Sequence, residues 1–303
     1  MIRSIAVTNH LNNVLKLELT RPEESGFIIK SIEGLGPVKA NVNTSEVSTN
    51  DGSIFNSARL NQRNITLNLQ FMETKSETIG EIRQKSYRYF PVKKKVKLRI
   101  ATSNRTLETE GYVESNEPNI FSKNSGCAIS IICPNPYLYS IEENVTVLSG
   151  TQSLFEFPFS NESVYEPLLE MAAISRYTER NVVYRGDSDI GVVITIHALG
   201  EVKNLTIYNT STREIMRIDT DKIELLTGSG IIAGDDIIIS TVKGDKSINL
   251  LRDGVTTNIL NCLARDVAWF QLSKGDNFFA FAAESGENNV QLKIENKIIY
   301  EGV

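Results

Sequence analysis

Hydrophobic and polar residues alternate with a period of two along most of this chain, the pattern of strands that bury one face. Leu15, Leu17 and Leu19 alternate with Lys16 and Glu18. Ile65, Leu67, Leu69 and Phe71 alternate with Thr66, Asn68 and Gln70, and Val96, Leu98 and Ile100 with Lys97 and Arg99. Further apolar runs lie at 205–208, 237–239 and 290–294. Asn50-Asp51-Gly52, Gly228-Ser229-Gly230, Lys243-Gly244-Asp245 and Asp253-Gly254 punctuate the runs. Gly, Asn and Asp tolerate the backbone angles of tight turns, so these clusters predict hairpins.

One segment breaks the alternation. Over 78–90, Ile79, Ile82, Ser86, Tyr89 and Phe90 fall on one face of a helix, and Glu81, Arg83, Gln84, Lys85 and Arg88 fall elsewhere. Thr78-Ile79-Gly80-Glu81 fits a capping box at its start. Pro91 ends it, because proline lacks an N–H and restricts the residue before it. The helix is expected to lie on a sheet through Ile79, Ile82, Tyr89 and Phe90. The expected fold class is therefore mainly β with one or more helices (α+β).

A change of surroundings is expected after Cys133-Pro134-Asn135-Pro136-Tyr137, where two prolines stop a strand and stiffen a connection. This places two domains at 1–137 and 138–303, the second a β-sandwich of short strands with a weakly patterned stretch at 168–173. Charge shifts at the same point. Residues 1–137 carry 18 Lys and Arg against 13 Asp and Glu, and the remainder 14 against 24. No run of apolar residues is long enough to span a membrane as a helix. The first ten residues lack the apolar core of a secretory signal, so the product is expected to stay in the cytoplasm where it is made.

Chemistry is sparse. Cys127, Cys133 and Cys262 form no CxxC pair and read as buried small residues. The two histidines, His10 and His197, lie in no metal-binding motif. Asp187 with Asp189, Asp219 with Asp221 and Glu224, and Asp235 with Asp236 read as turn chemistry rather than a calcium ladder. Lys93, Lys94 and Lys95 open a strand, 93–100, whose inward residues are Val96, Leu98 and Ile100. No aromatics interleave with these charges, so a solvated face is favoured over a nucleic-acid groove. Trp269 could serve as a sugar-stacking platform, although a core position beside a hairpin is the commoner use. No catalytic site, cofactor or metal is expected.

Certain segments in order carry a resemblance. Gly34-Leu35-Gly36-Pro37-Val38-Lys39-Ala40, Asn50-Asp51-Gly52-Ser53-Ile54-Phe55 and Asn61-Gln62-Arg63-Asn64-Ile65-Thr66-Leu67 are followed by the helix, the lysine-rich strand and Asn135-Pro136-Tyr137. Then come Gly186-Asp187, Asn204-Leu205-Thr206-Ile207-Tyr208-Asn209, Gly234-Asp235-Asp236-Ile237, Trp269-Phe270-Gln271-Leu272 and Gly275-Asp276-Asn277. This succession resembles the siphovirus-type distal tail protein (Dit) family over nearly the whole chain. It departs at Lys274, where the family often has proline.

The resemblance implies an N-terminal belt domain that closes into a hexameric ring and a C-terminal galectin-like β-sandwich. It implies a structural role at the virion tail tip. The implied partners are five further copies, the tail tube protein, a tail-tip or tail-associated protein, and duplex DNA passing through the lumen without specific binding. The candidate ring contacts are Val47, Ile54, Phe55 and Leu60 on a long polar loop at 45–64, together with Lys93, Lys94 and Lys95. Apolar residues on such a loop need a partner surface. A basic lumen would hold DNA through counterion release, so the lysines should face a neighbouring subunit or the outside. The alternative function is a carbohydrate-binding module that attaches the particle to a host cell-wall glycan, with Trp269 as its platform.

Overall fold

The computed structural model describes residues 1–46, 51–121, 125–153, 172–176 and 179–303. Val47 and most of the weakly patterned stretch near 168 lie outside the described residues. The chain divides into two compact units, Met1–Ile141 with Ile299–Val303, and Glu142–Ile298. The division thus falls inside a strand rather than at the prolines, and the last five residues belong to the first unit.

The first unit runs β1 (Ile2–Thr8), β2 (Val14–Glu18), β3 (Phe27–Glu33), β4 (Ala40–Glu46), β5 (Ser53–Leu60), β6 (Arg63–Phe71), α1 (Ile79–Tyr89), β7 (Lys95–Thr102), β8 (Thr106–Asn119), β9 (Gly126–Cys133) and the start of β10 (Leu138–Val147). Two antiparallel layers, β2-β1-β7-β8 and β3-β6-β9-β8, share one strand. That strand is β8, which pairs with β7 up to Tyr112 and with β9 beyond it. A register irregularity between Val113 and Ser115 marks the change of partner. An extra residue bends a strand, and this bend lets one strand serve both layers.

The period-two pattern is realised directly. Ile65, Leu67, Leu69 and Phe71 of β6 are buried with Val96, Leu98 and Ile100 of β7 and Ile129 and Ile131 of β9. Cys127 and Cys133 belong to the same cluster, and all three cysteines are free. Helix α1 adds Ile82 to this core, and Phe90, the residue that caps its end, joins it. The Glu81 carboxylate accepts from the Thr78 N–H at 2.8 Å and from its hydroxyl at 2.9 Å. Ile79 departs from expectation: it is 40% exposed. It occupies the first helical position, and packing begins one turn later.

The second unit contains β11 (Ser149–Ser153), β12 (Ala172–Arg176), β13 (Arg180–Tyr184), β14 (Ile190–Gly191), β15 (Val193–Ala198), β16 (Thr206–Asn209), β17 (Glu214–Arg217), α2 (Thr220–Thr227), β18 (Asp236–Ser240), β19 (Ser247–Arg252), β20 (Val255–Asn258), β21 (Gln271–Leu272), β22 (Gly275–Ala282) and most of β23 (Val290–Tyr300). Its main sheets are β23-β15-β18-β19-β20 and β13-β22-β16-β17. Each buries one face, through Ile194, Ile196, Ile237, Ile239, Ile248 and Leu292 in the first and Val182, Ile207, Met216 and Phe279 in the second. Phe270 meets Phe279 edge to face at 5.6 Å. This unit is a β-sandwich, and the chain as a whole is mainly β with helices.

Helix α2 replaces the turn expected at Asp219, Asp221 and Glu224. Asp219 caps it by accepting from the Lys222 N–H, and Gly228 closes it at φ +85°.

Candidate functional site

The most exposed regular element of the first unit is the hairpin β4–β5, where the sequence suggested a loop. Every residue from Asn41 to Glu46 and from Ser53 to Arg59 is exposed. Among the described residues it forms a sheet of its own, with no other strand paired to it. A lone two-stranded hairpin is marginally stable in water, so its exposed apolar residues matter.

Register sorts those residues. Ala40 pairs with Leu60, and Val42 with Ala58. The register then shifts, so that Asn43 opposes Ser57 but Thr44 opposes Phe55. Asn56 is the extra residue, and its side chain donates to Ser45 Oγ at 2.6 Å. Paired residues share a face and alternate residues change face. One face therefore carries Ala40, Val42, Thr44, Phe55, Ala58 and Leu60. The other carries Asn41, Asn43, Ser45, Ser57 and Arg59, with Ile54. Without the bulge Phe55 would join the polar face. Val42, Ile54 and Phe55 are 54%, 58% and 62% exposed. Leu60 is only half exposed, at the root.

The root is fixed by Arg63, which is 1% exposed. Its Nε donates to the Pro136 carbonyl at 2.7 Å, Nη1 to Gly34 at 2.5 Å and Gly36 at 2.8 Å, and Nη2 to Glu301 at 2.7 Å. Burial pulls this guanidinium below its ordinary pKa. Four carbonyl oxygens replace the water it has lost. Nothing in the hydrophobic pattern marks Arg63; a charged residue opening an alternating strand was the only signal.

The lysine run divides. Lys95 begins β7 and pairs with Glu110 at 2.7 Å, a hydrogen bond that raises its pKa. Lys97 and Arg99 lie near Glu108 at 3.0 and 3.7 Å. Lys93 and Lys94, expected to open the strand, lie instead in the turn before it. Lys93 has φ +66°, and the turn is tied to β8 by Lys93 N–H to Val113 O at 2.8 Å and Val113 N–H to Lys94 O at 3.1 Å. Both side chains are exposed. Among the described residues no hydrogen bond or ion pair joins these lysines to the hairpin of the same chain.

Elsewhere the polar groups serve the fold. Buried Asp235 accepts from Arg252 Nε at 2.7 Å and Nη2 at 2.5 Å, and from the Ile232 N–H at 2.9 Å. No pattern in the sequence pairs these two residues. His197 Nδ1 lies 2.7 Å from Asp236 Oδ1 across β15 and β18. Trp269 is half buried, with the Lys246 ammonium 5.2 Å from its ring centroid. A cleft of about 570 Å³ in the first unit is lined by Ile2, Ile32, Leu35 and Arg105 among others. Arg105 is already engaged, over the Tyr300 ring and with the Gly302 carbonyl. Among the described residues no three His, Cys, Asp or Glu side chains come together as metal ligands.

No family model and no curated protein matches the chain. Among solved structures, it is similar to the Dit (gp 19.1) protein of phage SPP1, described as a paradigm of the hub adsorption apparatus in phages infecting Gram-positive bacteria. The TM-score is 0.66 at 11% identity, over 97% of this chain and 98% of that one. Two structures of the phage P2 baseplate in its activated conformation, with Ca and with Sr, align over 98% of both chains at 11% identity, with TM-scores of 0.47. The first likeness shows a shared fold along both units. The latter two are too distant to add to it.

Proposed function

We propose that the chain is a Dit-type structural protein of a phage or phage-like tail. Six copies close into a ring through the first unit. The ring joins the tail tube to tip or baseplate proteins and leaves a lumen for duplex DNA. The second unit projects as a galectin-like sandwich. In this reading the chain is an assembly part of the virion tail tip with no catalytic role.

The observation that carries the reading is the exposed, amphipathic β4–β5 hairpin on a fold shared with the SPP1 hub protein. Seating Val42 and Phe55 on a neighbour would contribute roughly 1.5–3 kcal/mol per side chain removed from water. The likeness spans both units, which fits a two-unit tail component rather than a lone binding module. Ile54, Phe55 and Leu60 keep their place as ring contacts, joined by Val42. The test is a density map of the particle that carries this chain. A six-membered ring at the end of the tube is expected. A trimer, or a position away from the tube end, overturns the proposal.

A further inference from the structure

We infer that the outer part of the β4–β5 hairpin, through Glu46, Asp51 and Phe55, seats on one particular surface of the next copy, the β1–β2 turn together with the turn that carries Lys93 and Lys94. The inference rests on the ring reading above and adds the partner surface. It is drawn from two exposed regions of the same unit whose charge and apolar content are complementary.

The hairpin is polarised along its length. Its root carries Lys39 and Arg59, and its outer end carries Glu46 and Asp51, all exposed. Neither acid has an ion-pair partner among the described residues. Phe55 lies on the apolar face between Val42 and the acidic end, so the outer half offers two carboxylates beside an apolar strip.

The proposed seat has the opposite charge and a similar apolar content. Thr8 pairs with both Val14 and Lys97, which sets the β1–β2 turn beside the start of β7. The Asn9 amide donates to the Arg88 carbonyl at 3.0 Å and holds that turn against the end of α1. Pro91 and Lys94 follow directly, joined by a backbone hydrogen bond at 3.2 Å. Leu11, Val14 and Val92 are exposed on this surface, together with Lys93 and Lys94. Lys95 is already held by Glu110, whereas Lys93 and Lys94, with Arg88 at the end of α1, are exposed cations with no ion pair among the described residues. The turn of Lys93 and Lys94 is fixed to β8 at both residues, which lowers the ordering cost of using them.

The geometry of supply and demand favours a second copy over another partner. The hairpin and the seat lie on the same unit, and among the described residues no hydrogen bond or ion pair joins them. A contact between unlike surfaces is heterologous and repeats from copy to copy, the kind that closes a ring. It also removes the lysines from any channel wall, where they would retain DNA.

Zero-length carbodiimide coupling on the purified full-length chain tests this, because it joins an amine to a carboxylate only in contact. Mixing ordinary and heavy-isotope copies identifies bonds between chains. Coupling of Glu46 or Asp51 in one copy to Lys93 or Lys94 in another is expected. The K93E/K94E variant should lose it, and the same chain carrying E46K/D51K as well should regain it with the roles exchanged. Matching thermal melts would show that the variants fold. Inter-chain coupling confined to other residues, coupling unaffected by K93E/K94E, or none at all overturns the seat. A map showing a ring with the hairpin elsewhere overturns the seat and keeps the ring; a map without a ring removes both.

Discussion

Arg63 reaches back to Gly34: its Nη1 lies 2.5 Å from that carbonyl oxygen, joining the residue just after the hairpin to the segment just before it. The other guanidinium bonds bind Gly36, Pro136 and Glu301 to the same point. Removing this group leaves four carbonyls without the donor that joins them. Arg63→Met should destabilise the first unit by about 1–3 kcal/mol, the scale for leaving hydrogen-bond partners unsatisfied. Arg63→Lys should recover little, since a single ammonium cannot span the positions that the planar fork reaches. Urea denaturation measures both. A loss under about 1 kcal/mol would mean the clamp is not what holds the root.

Gly34 itself should resist substitution. It sits at φ +81°, and a Cβ there would lie 1.8 Å from the Asn64 carbonyl oxygen. That oxygen is backbone in β6 and cannot rotate away. Gly34→Ala should therefore lower the melting temperature, and an unchanged melt would show that the loop can move aside.

Ile82 is fully buried on the inner face of α1. Ile82→Ala should cost roughly 2–4 kcal/mol, from lost burial and the cavity left behind. Ile79→Ala on the same helix should cost far less, because Ile79 is partly exposed. Equal losses in the two variants would contradict the helix orientation described above.

The hairpin's apolar face should matter to assembly and not to folding. Val42→Ser and Phe55→Ser should change the stability of the free chain by no more than about 0.5 kcal/mol, as surface substitutions do. The same variants should fail to join the ring. A strongly destabilised monomer would instead place these side chains against their own unit.

The cysteines predict an alkaline limit. Burial pushes the Cys127 thiol up from 9.0 to about 12, and raises Cys133 and Cys262 as well. A thiol with a raised folded pKa contributes stability that is whole below the unfolded value. That contribution is lost as pH rises from near 9 through about 12. Iodoacetamide at mildly alkaline pH should label the native chain slowly and the unfolded chain quickly at all three sites. Rapid labelling of the native chain would contradict their burial.

The sequence by itself determined the elements whose partner is the core. The alternation at 65, 67, 69 and 71 reports which face of β6 is apolar, and hydrophobic burial then makes that face inward whatever the strand pairs with. The cap at Thr78 and the stop at Pro91 fixed α1 because those signals act within one turn of backbone. Tertiary structure alone decided the apolar face of the hairpin and the buried polar clusters. Phe55 shares a face with Val42 only because Asn56 is bulged against β4, and a bulge depends on the pairing of two strands rather than on either one. Arg63 is buried only because Gly34, Gly36, Pro136 and Glu301 converge from distant parts of the chain. Asp235 finds Arg252 by the same route. Backbone carbonyls look alike in every sequence, so where several of them meet is written in the packing.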